Sequence, residues 1–339
     1  MITKAAFTNY GPIKEIDLGK LSNINLIIGS NGSGKTFLLK ALYSATRTLE
    51  EYKRGKEQRS ASDILKDKLY WTFQAAKIGD LVTKGAAGKL SANINFDKNE
   101  FQFTFGKETV KQINFLENHV KPLESNSIFL PAKEVISLQK IILKTREVDK
   151  LFGFDDTYLD LARALRQTLK RGRNYSVFSK AREKLKDIVG GRIEYDQSTN
   201  EWIYRNEKNQ KFEVGVTAEG IKKIAILDTL LGNRYLDTNS IIFIDEPESA
   251  LHPTAITKLL DIIYLLSDCG IQFFLASHSY FVIKKLFLIT QEHEVDIPVI
   301  SCEKNEWKID NLKDGMPDNS IIDESIRLFE EEIDGSIKW

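Results

Sequence analysis

Several features that define other protein classes are scarce in this chain of 339 residues. Its two cysteines, Cys269 and Cys302, lie far apart without a CxxC pattern, which argues against a disulfide framework or a cysteine zinc site. No apolar run approaches the roughly 18 residues of a membrane span. The first residues, Met1–Gly11, are mixed polar and apolar and lack a signal-peptide pattern. We therefore expect a cytoplasmic protein with no membrane partner.

A net charge is also absent, because 48 Lys and Arg residues balance 48 Asp and Glu residues. Any attraction to nucleic acid must therefore be local. The segment from Lys140 to Lys186 is basic, and its densest part is Lys170–Tyr175 (KRGRNY). Nucleic-acid binding through this segment is one interpretation. A solvated or protein-contacting helical face is the other, and both remain open.

What is present is an ordinary globular composition, with 42% hydrophobic residues. Two strands at Ile2–Leu21 are predicted at a sheet edge, an antiparallel hairpin at Ser91–Phe105 and a central strand at Ser127–Pro131. Helical spacing follows at 133–189, and then a polar meander at Arg192–Val216. Strands alternate with helices in the last third, which predicts a parallel α/β sheet.

This pattern suggests a division into four parts. An N-terminal core segment at 1–130 carries an antiparallel β part, and a helical lobe is inserted at 131–190. A second core segment follows at 191–310. An acidic, partly helical tail occupies 311–339.

The stretch GSNGSGKT matches the phosphate loop GxxxxGK[ST] and lies between a predicted strand and a predicted helix. Glycines let the backbone wrap an anion, and the helix adds its positive N-terminal end. Lys35 is predicted to reach the β- and γ-phosphates of ATP, and the Thr36 hydroxyl to bind Mg²⁺. The predicted nucleotide-binding residues are Gly29, Ser30, Asn31, Gly32, Ser33, Gly34, Lys35 and Thr36.

A second acidic motif, IIFIDEPESALHP, ends a predicted strand at Ile241–Pro253. Two adjacent buried carboxylates are costly unless a cation or a reaction uses them. We expect Asp245 to hold Mg²⁺ through its water shell and Glu246 to orient the attacking water. Glu248 is interpreted as structural or as a support for its neighbours.

His278 follows the next predicted strand, in FFLASHS, and points to the same sheet edge. A histidine donor in that place can contact the γ-phosphate, so we assign His278 to catalysis together with Glu246 and Lys35. The other three histidines have no metal-like spacing and are expected to be structural or exposed.

Together these motifs resemble the ABC-type ATPases of the SMC, RecF and OLD group, often described simply as AAA-family ATPases. The motif DEPESALHP is especially similar to that of bacterial members linked to OLD nucleases and Septu-type phage defence. The resemblance covers roughly Ile2–Ser125 and Val216–Ser301. It implies a P-loop NTPase of ABC-ATPase type, in which two heads sandwich two ATP molecules.

In that family a signature loop from one head caps the γ-phosphate held by the other. The matching segment here is Val216–Lys223, which retains Gly220 but has Ala218 where a serine is expected, so Thr217 is assigned the hydroxyl. A plain N-capped helix is the alternative. Ser249–His252 resembles the family's D-loop, and Gln74 is a weak candidate for its glutamine loop, an ordinary helical glutamine being favoured.

Three functional hypotheses follow. The first is a dimeric Mg-ATPase that regulates a separate effector protein, such as a nuclease, in bacterial anti-phage defence. The second is a RecF-like DNA-repair clamp. The third is a scaffold locked by nucleotide that does not depend on hydrolysis.

Overall fold

A computed structural model describes residues 1–110, 112–113, 115–168, 174–303 and 306–337. The strands are β1 (Ile2–Tyr10), β2 (Ile13–Asp17), β3 (Ile24–Gly29), β4 (Leu90–Phe96), β5 (Asn99–Phe105), β6 (Phe115–Asn118), β7 (Ile128–Leu130), β8 (Gly191–Asp196), β9 (Glu201–Asn206), β10 (Lys211–Glu213), β11 (Ile241–Asp245), β12 (Gln272–Ser277), β13 (Pro298–Glu303) and β14 (Glu306–Asn311). The α-helices are α1 (Lys35–Glu51), α2 (Ala61–Phe73), α3 (Gln139–Leu143), α4 (Asp156–Leu165), α5 (Ser176–Val189), α6 (Glu219–Gly232), α7 (Pro253–Asp268), α8 (Tyr280–His293) and α9 (Ser320–Ile337). Short 3₁₀ turns occur at Ile78–Leu81 and Val214–Val216, and a π-helical turn at Lys144–Val148 extends α3.

The central sheet has the strand order β14-β13-β3-β12-β11-β7. All its pairs are parallel except β13 with the edge strand β14. Every residue of β3, β11 and β12 is buried, as expected for parallel strands covered on both faces. Because β3, β12 and β11 are neighbours, their carboxyl ends bring the phosphate loop, His278 and Asp245 to one sheet edge.

A second, antiparallel sheet has the order β2-β1-β4-β5-β6. The predicted hairpin at Ser91–Phe105 is confirmed as β4 and β5, with Ile94 opposite Phe101. Helix α1 fills the space between this sheet and the central one, where Leu38 and Leu42 join a core that includes Phe7, Phe103 and Phe243. The helix that follows the phosphate loop is therefore held between two sheets.

Two strand placements differ from the prediction. Strand β7, within Ser127–Pro131, is an edge strand of the central sheet rather than a central one. Its three residues are nevertheless buried, and α4 packs against the strand, so its apolar composition indicates burial and not its place in the sheet. At Ile2–Leu21, β2 is an edge strand, but β1 lies inside the sheet between β2 and β4.

The segment predicted as a polar meander, Arg192–Val216, forms a separate antiparallel sheet of β8, β9 and β10. The helical segment between β7 and β8 packs on the central sheet through α4, which contacts β7. Lys170, Arg171 and Arg173 of the densest basic stretch lie outside the described residues. None of the described helices is long and apolar enough to span a membrane.

Candidate nucleotide site

The phosphate loop connects the end of β3 to the start of α1, as its sequence predicts. Gly29, Gly32 and Gly34 have φ values of 149°, 79° and 98°, which residues with a Cβ rarely adopt. A Cβ on Gly29 would also lie 2.5 Å from the carbonyl oxygen of Cys302. The glycines are thus required by the backbone of the loop, which leads directly into the N-terminus of α1, a place that favours anions.

Lys35 lies inside this loop and is buried. Its Nζ donates hydrogen bonds to the carbonyl oxygens of Gly29 at 2.8 Å and Ser30 at 2.9 Å. Burial lowers the pKa of Lys35, and the nearby carboxylates of Asp245 and Glu246 oppose that shift. A cation is therefore positioned between the glycine loop and the acidic end of β11.

Thr36 and Asp245 are in direct contact. The Thr36 hydroxyl lies 3.0 and 2.9 Å from the two carboxylate oxygens of Asp245, and that carboxyl group is mostly buried. Burial raises the pKa of Asp245, whereas the hydrogen bond from Thr36 acts in the opposite direction. One hydroxyl and one carboxylate are the hard oxygen ligands that Mg²⁺ uses when phosphates and waters complete its shell.

Two further observations test whether Mg-ATP fits these residues. The hydroxyl of Ser33, within the loop, is buried and has no hydrogen-bond partner among the described residues, as expected for a group that meets a phosphate. Among all the residues that the structure describes, no group of three or more His, Cys, Asp or Glu side chains could hold a metal ion. The buried hydroxyl of Ser33 and the contact of Thr36 with Asp245 therefore fit a phosphate and a cation at this site.

Glu246 follows Asp245 with φ at 49°, an uncommon backbone conformation for a residue other than glycine. Its N–H donates to the Ala276 carbonyl at 2.8 Å, which fixes the turn after β11 to the end of β12. The Glu246 carboxylate remains partly exposed, and its Oε1 lies 3.7 Å from Nδ1 of His278. The two side chains predicted for catalysis thus face each other at the carboxyl ends of neighbouring strands.

Glu248 has a structural contact of its own. Its Oε1 accepts hydrogen bonds from the Ser277 hydroxyl at 2.9 Å and from the His278 N–H at 3.1 Å. The turn that carries His278 is therefore attached to the acidic loop. Both contacts are structural, which agrees with the interpretation of Glu248 as a structural residue.

Lys223 was not predicted as part of the site. Its buried Nζ lies 3.5 Å from the Asp245 carbonyl and donates to the Glu246 carbonyl, so α6 supports the end of β11. Burial lowers the pKa of Lys223 to about 8, although the neighbouring carboxylates, led by Glu248, oppose this. The signal in the sequence is weak: a pair of lysines, Lys222 and Lys223, directly precedes the apolar stretch Ile224–Leu227 of α6.

The signature-like segment packs against the D-loop-like segment. A Cβ on Gly220 would lie 2.3 Å from the Ala250 carbonyl oxygen and 2.9 Å from the Leu251 side chain. Ala218 occupies the N-cap of α6 without a side-chain hydrogen bond, and the Thr217 hydroxyl is buried without a partner among the described residues. The N-terminus of α6 therefore has no side-chain cap, which argues against the alternative of a plain N-capped helix.

Gln74 lies at the C-cap of α2 and not within the helix. It ends α2 with φ at 51°, and its Oε1 accepts a hydrogen bond from the Gly153 N–H at 3.3 Å. It lines a cavity of about 520 Å³ with Thr36 and with Lys40 and Asp155. The end of α2 and the start of α4 thus meet beside the phosphate loop.

This arrangement of glycine loop, Thr36 and Asp245 agrees with the sequence comparisons. Residues 24–284 match a protein-family model described as "AAA domain, putative AbiEii toxin, Type IV TA system". The chain belongs to this AAA family. No curated protein sequence matches it.

Solved structures with a similar fold include SMC heads. One is an Smc head bound to the C-winged helix domain of ScpA, with a TM-score of 0.53, 12% identity and coverage of 91% of this chain and 97% of that one. Another is the Smc head domain with an extended coiled coil bound to the C-terminal domain of ScpA, derived from Pyrococcus furiosus, with a TM-score of 0.52, 12% identity and coverage of 97% and 98%. At this identity the likeness shows the fold alone. This AAA-family chain therefore has the P-loop ABC-ATPase fold of SMC heads, and the predicted fold class is confirmed.

Proposed function

We propose that this chain binds and hydrolyses ATP with Mg²⁺. The observation that carries the proposal is the contact of Thr36 with Asp245 beside the phosphate loop. The loop N–H groups and Lys35 bind the phosphates, and Thr36 and Asp245 hold the cation. When bound, Mg²⁺ neutralises charge on the phosphate oxygens.

Glu246 is proposed to orient and polarise the attacking water. It is the more exposed carboxylate of the pair Asp245–Glu246, so it can accept a hydrogen bond from water while Asp245 holds the cation. His278, 3.7 Å from Glu246, donates to the γ-phosphate. Glu248 supports this histidine through its backbone N–H.

A second copy of the chain is the proposed partner in nucleotide binding. The N-terminus of α6 offers backbone N–H groups, and Thr217 offers a hydroxyl, to the γ-phosphate held by the other copy. The tight packing of Gly220 on Ala250 supports this, because it couples the capping loop to the D-loop-like segment that follows Asp245 and Glu246. ATP would then close two heads face to face.

The finer role is regulation of a separate effector protein in anti-phage defence. Support comes from the motif DEPESALHP and from the family description, which names a toxin and a type IV toxin–antitoxin system. Smc heads of similar fold are bound to ScpA, which is a precedent for a partner protein on such a head. Protection of cells against phage by the chain and its neighbouring gene product, lost on Lys35→Ala, would support this role; protection that survives Lys35→Ala would count against it.

Phosphate release and sedimentation together test the ATPase proposal. Purified protein should release phosphate from ATP only with Mg²⁺, and Asp245→Asn should abolish release. Glu246→Gln with Mg-ATP should sediment as a dimer, and adding Lys35→Ala should return it to a monomer. Phosphate release that Asp245→Asn leaves unchanged would refute the assignment of the site. A monomer in every condition would refute nucleotide-driven dimerisation.

A further inference from the structure

Helix α4 brings a carboxylate from the inserted helical segment to the cavity beside the phosphate loop. Asp155 is the N-cap of α4, and its Oδ1 accepts hydrogen bonds from the Thr157 N–H at 2.8 Å and the Thr157 hydroxyl at 2.5 Å. Its Oδ2 accepts a 2.6 Å hydrogen bond from Nζ of Lys40. Both Lys40 and Asp155 line the cavity that Thr36 also lines.

Lys40 is well placed to interfere with a cation at Thr36 and Asp245. It lies four residues after Thr36 on α1, so the two side chains share one helix face a turn apart. Lys40 lines the same cavity as Thr36, whose hydroxyl contacts both carboxylate oxygens of Asp245, so the Lys40 ammonium lies beside the two residues that would hold the cation. An ammonium close to this carboxylate competes with a divalent ion for the same oxygens and repels it.

The start of α4 is fixed by a buried ionic cluster. Asp160 accepts hydrogen bonds from the Tyr43 hydroxyl at 2.8 Å and from Lys68 and Arg47 at 3.3 Å. Asp156 pairs with Arg146 at 2.7 Å. These contacts attach α4 to α1 and α2, so the position of the Asp155 carboxylate is set by a rigid frame and not by a loop.

We propose that Asp155 is a positioning residue for the cation site: it holds the Lys40 ammonium on the α4 side of the cavity and so leaves Asp245 free to bind Mg²⁺. The inserted segment thus contributes to the metal site without contacting the metal. This inference rests on the proposed Mg-ATP function, and it assigns a role to a residue pair outside the sequence motifs.

The test is a Mg²⁺ titration of fluorescent ATP-analogue binding. Asn is as good an N-cap as Asp, so Asp155→Asn removes the charge and keeps the helix start. We expect it to raise the Mg²⁺ concentration for half-maximal binding about tenfold, the size of a nearby charge effect. The double variant Asp155→Asn with Lys40→Gln should return to the wild-type value, because the competing ammonium is gone.

A matched control removes a carboxylate from an ion pair of equal length away from the site. Asp261 pairs with Lys285 at 2.6 Å between α7 and α8, and Asp261→Asn should leave the Mg²⁺ requirement unchanged. Thermal unfolding of each variant reports folding. Should Asp155→Asn not fold, Lys40→Gln alone still decides, because the inference requires that it does not raise the Mg²⁺ requirement.

An unchanged Mg²⁺ requirement in folded Asp155→Asn overturns the inference. So does a double variant as impaired as Asp155→Asn, since Lys40 would then not be the mediator. Wild-type protein without Mg²⁺-dependent nucleotide binding would instead count against the proposed function, so the two failures are distinguishable.

Discussion

The hydroxyl of Thr36 contacts both carboxylate oxygens of Asp245, although 209 positions separate the two residues in the sequence. The contact is possible because β12 alone lies between β3, which leads to Thr36, and β11, which ends at Asp245. Parallel strands place their carboxyl ends at one edge of a sheet, where α/β proteins bind ligands. The roles of the neighbouring side chains follow from this contact.

Glu246→Gln should separate nucleotide binding from turnover. The amide keeps the size of the side chain but cannot act as a base, so we expect turnover to fall about 10²- to 10³-fold, with binding affinity retained. Single-turnover phosphate release and calorimetric binding measure the two quantities. Glu183→Gln, on an exposed position of α5, is the control. Unchanged hydrolysis in Glu246→Gln would contradict the assignment of the base.

Gly220→Ala should loosen the contact between α6 and the D-loop-like segment. The added Cβ would meet the Ala250 carbonyl at 2.3 Å, and backbone cannot yield as a flexible side chain can. We expect a loss of about 1–3 kcal/mol in the free energy of unfolding, from urea denaturation, together with weaker ATP-driven dimerisation.

Gly215→Ala is the matched control for that substitution. Gly215 lies five residues earlier, in the 3₁₀ turn before α6, and a Cβ there would meet nothing within 4 Å. Its effect should stay within about 0.5 kcal/mol. Equal effects of the two substitutions would mean that the packing of Gly220 on Ala250 does not matter.

The buried Lys223 should make the free energy of unfolding depend on pH when nucleotide and Mg²⁺ are absent. Its folded-state pKa of about 8 lies below the ordinary value of 10.5, so the folded state loses this proton at a lower pH than the unfolded state does. The free energy of unfolding should therefore rise from this group as pH increases from 8 toward 10.5. Urea denaturation from pH 7 to 9.5 should show wild type gaining about 2 kcal/mol relative to Lys223→Met. Parallel curves for the two proteins would contradict this.

The phosphate loop, Asp245, Glu246 and His278 could be located from sequence because each belongs to a local pattern at a strand end. Asp155 and Lys223 could not, and Gln74 was only a weak candidate. Their places depend on how the ends of α2, α4 and α6 pack around the loop, and nothing in the local hydrophobic periodicity reports that packing.

The same distinction holds for the fold. The fully buried, largely apolar β3 and β11 were predicted as strands because parallel strands covered on both faces leave a nearly continuous hydrophobic run. The edge position of β7 was missed because all three of its residues are buried, with α4 packed against the strand. Composition reports burial, and it does not report which element provides the cover.

Calorimetric titration of ATP into wild type and Lys35→Ala, with and without Mg²⁺, tests the central claim most directly. We predict saturable binding by wild type that Mg²⁺ strengthens, and binding weakened at least about tenfold by Lys35→Ala, because a buried cation that contacts phosphate is lost. No nucleotide binding by wild type, or equal binding by the two proteins, would contradict the account.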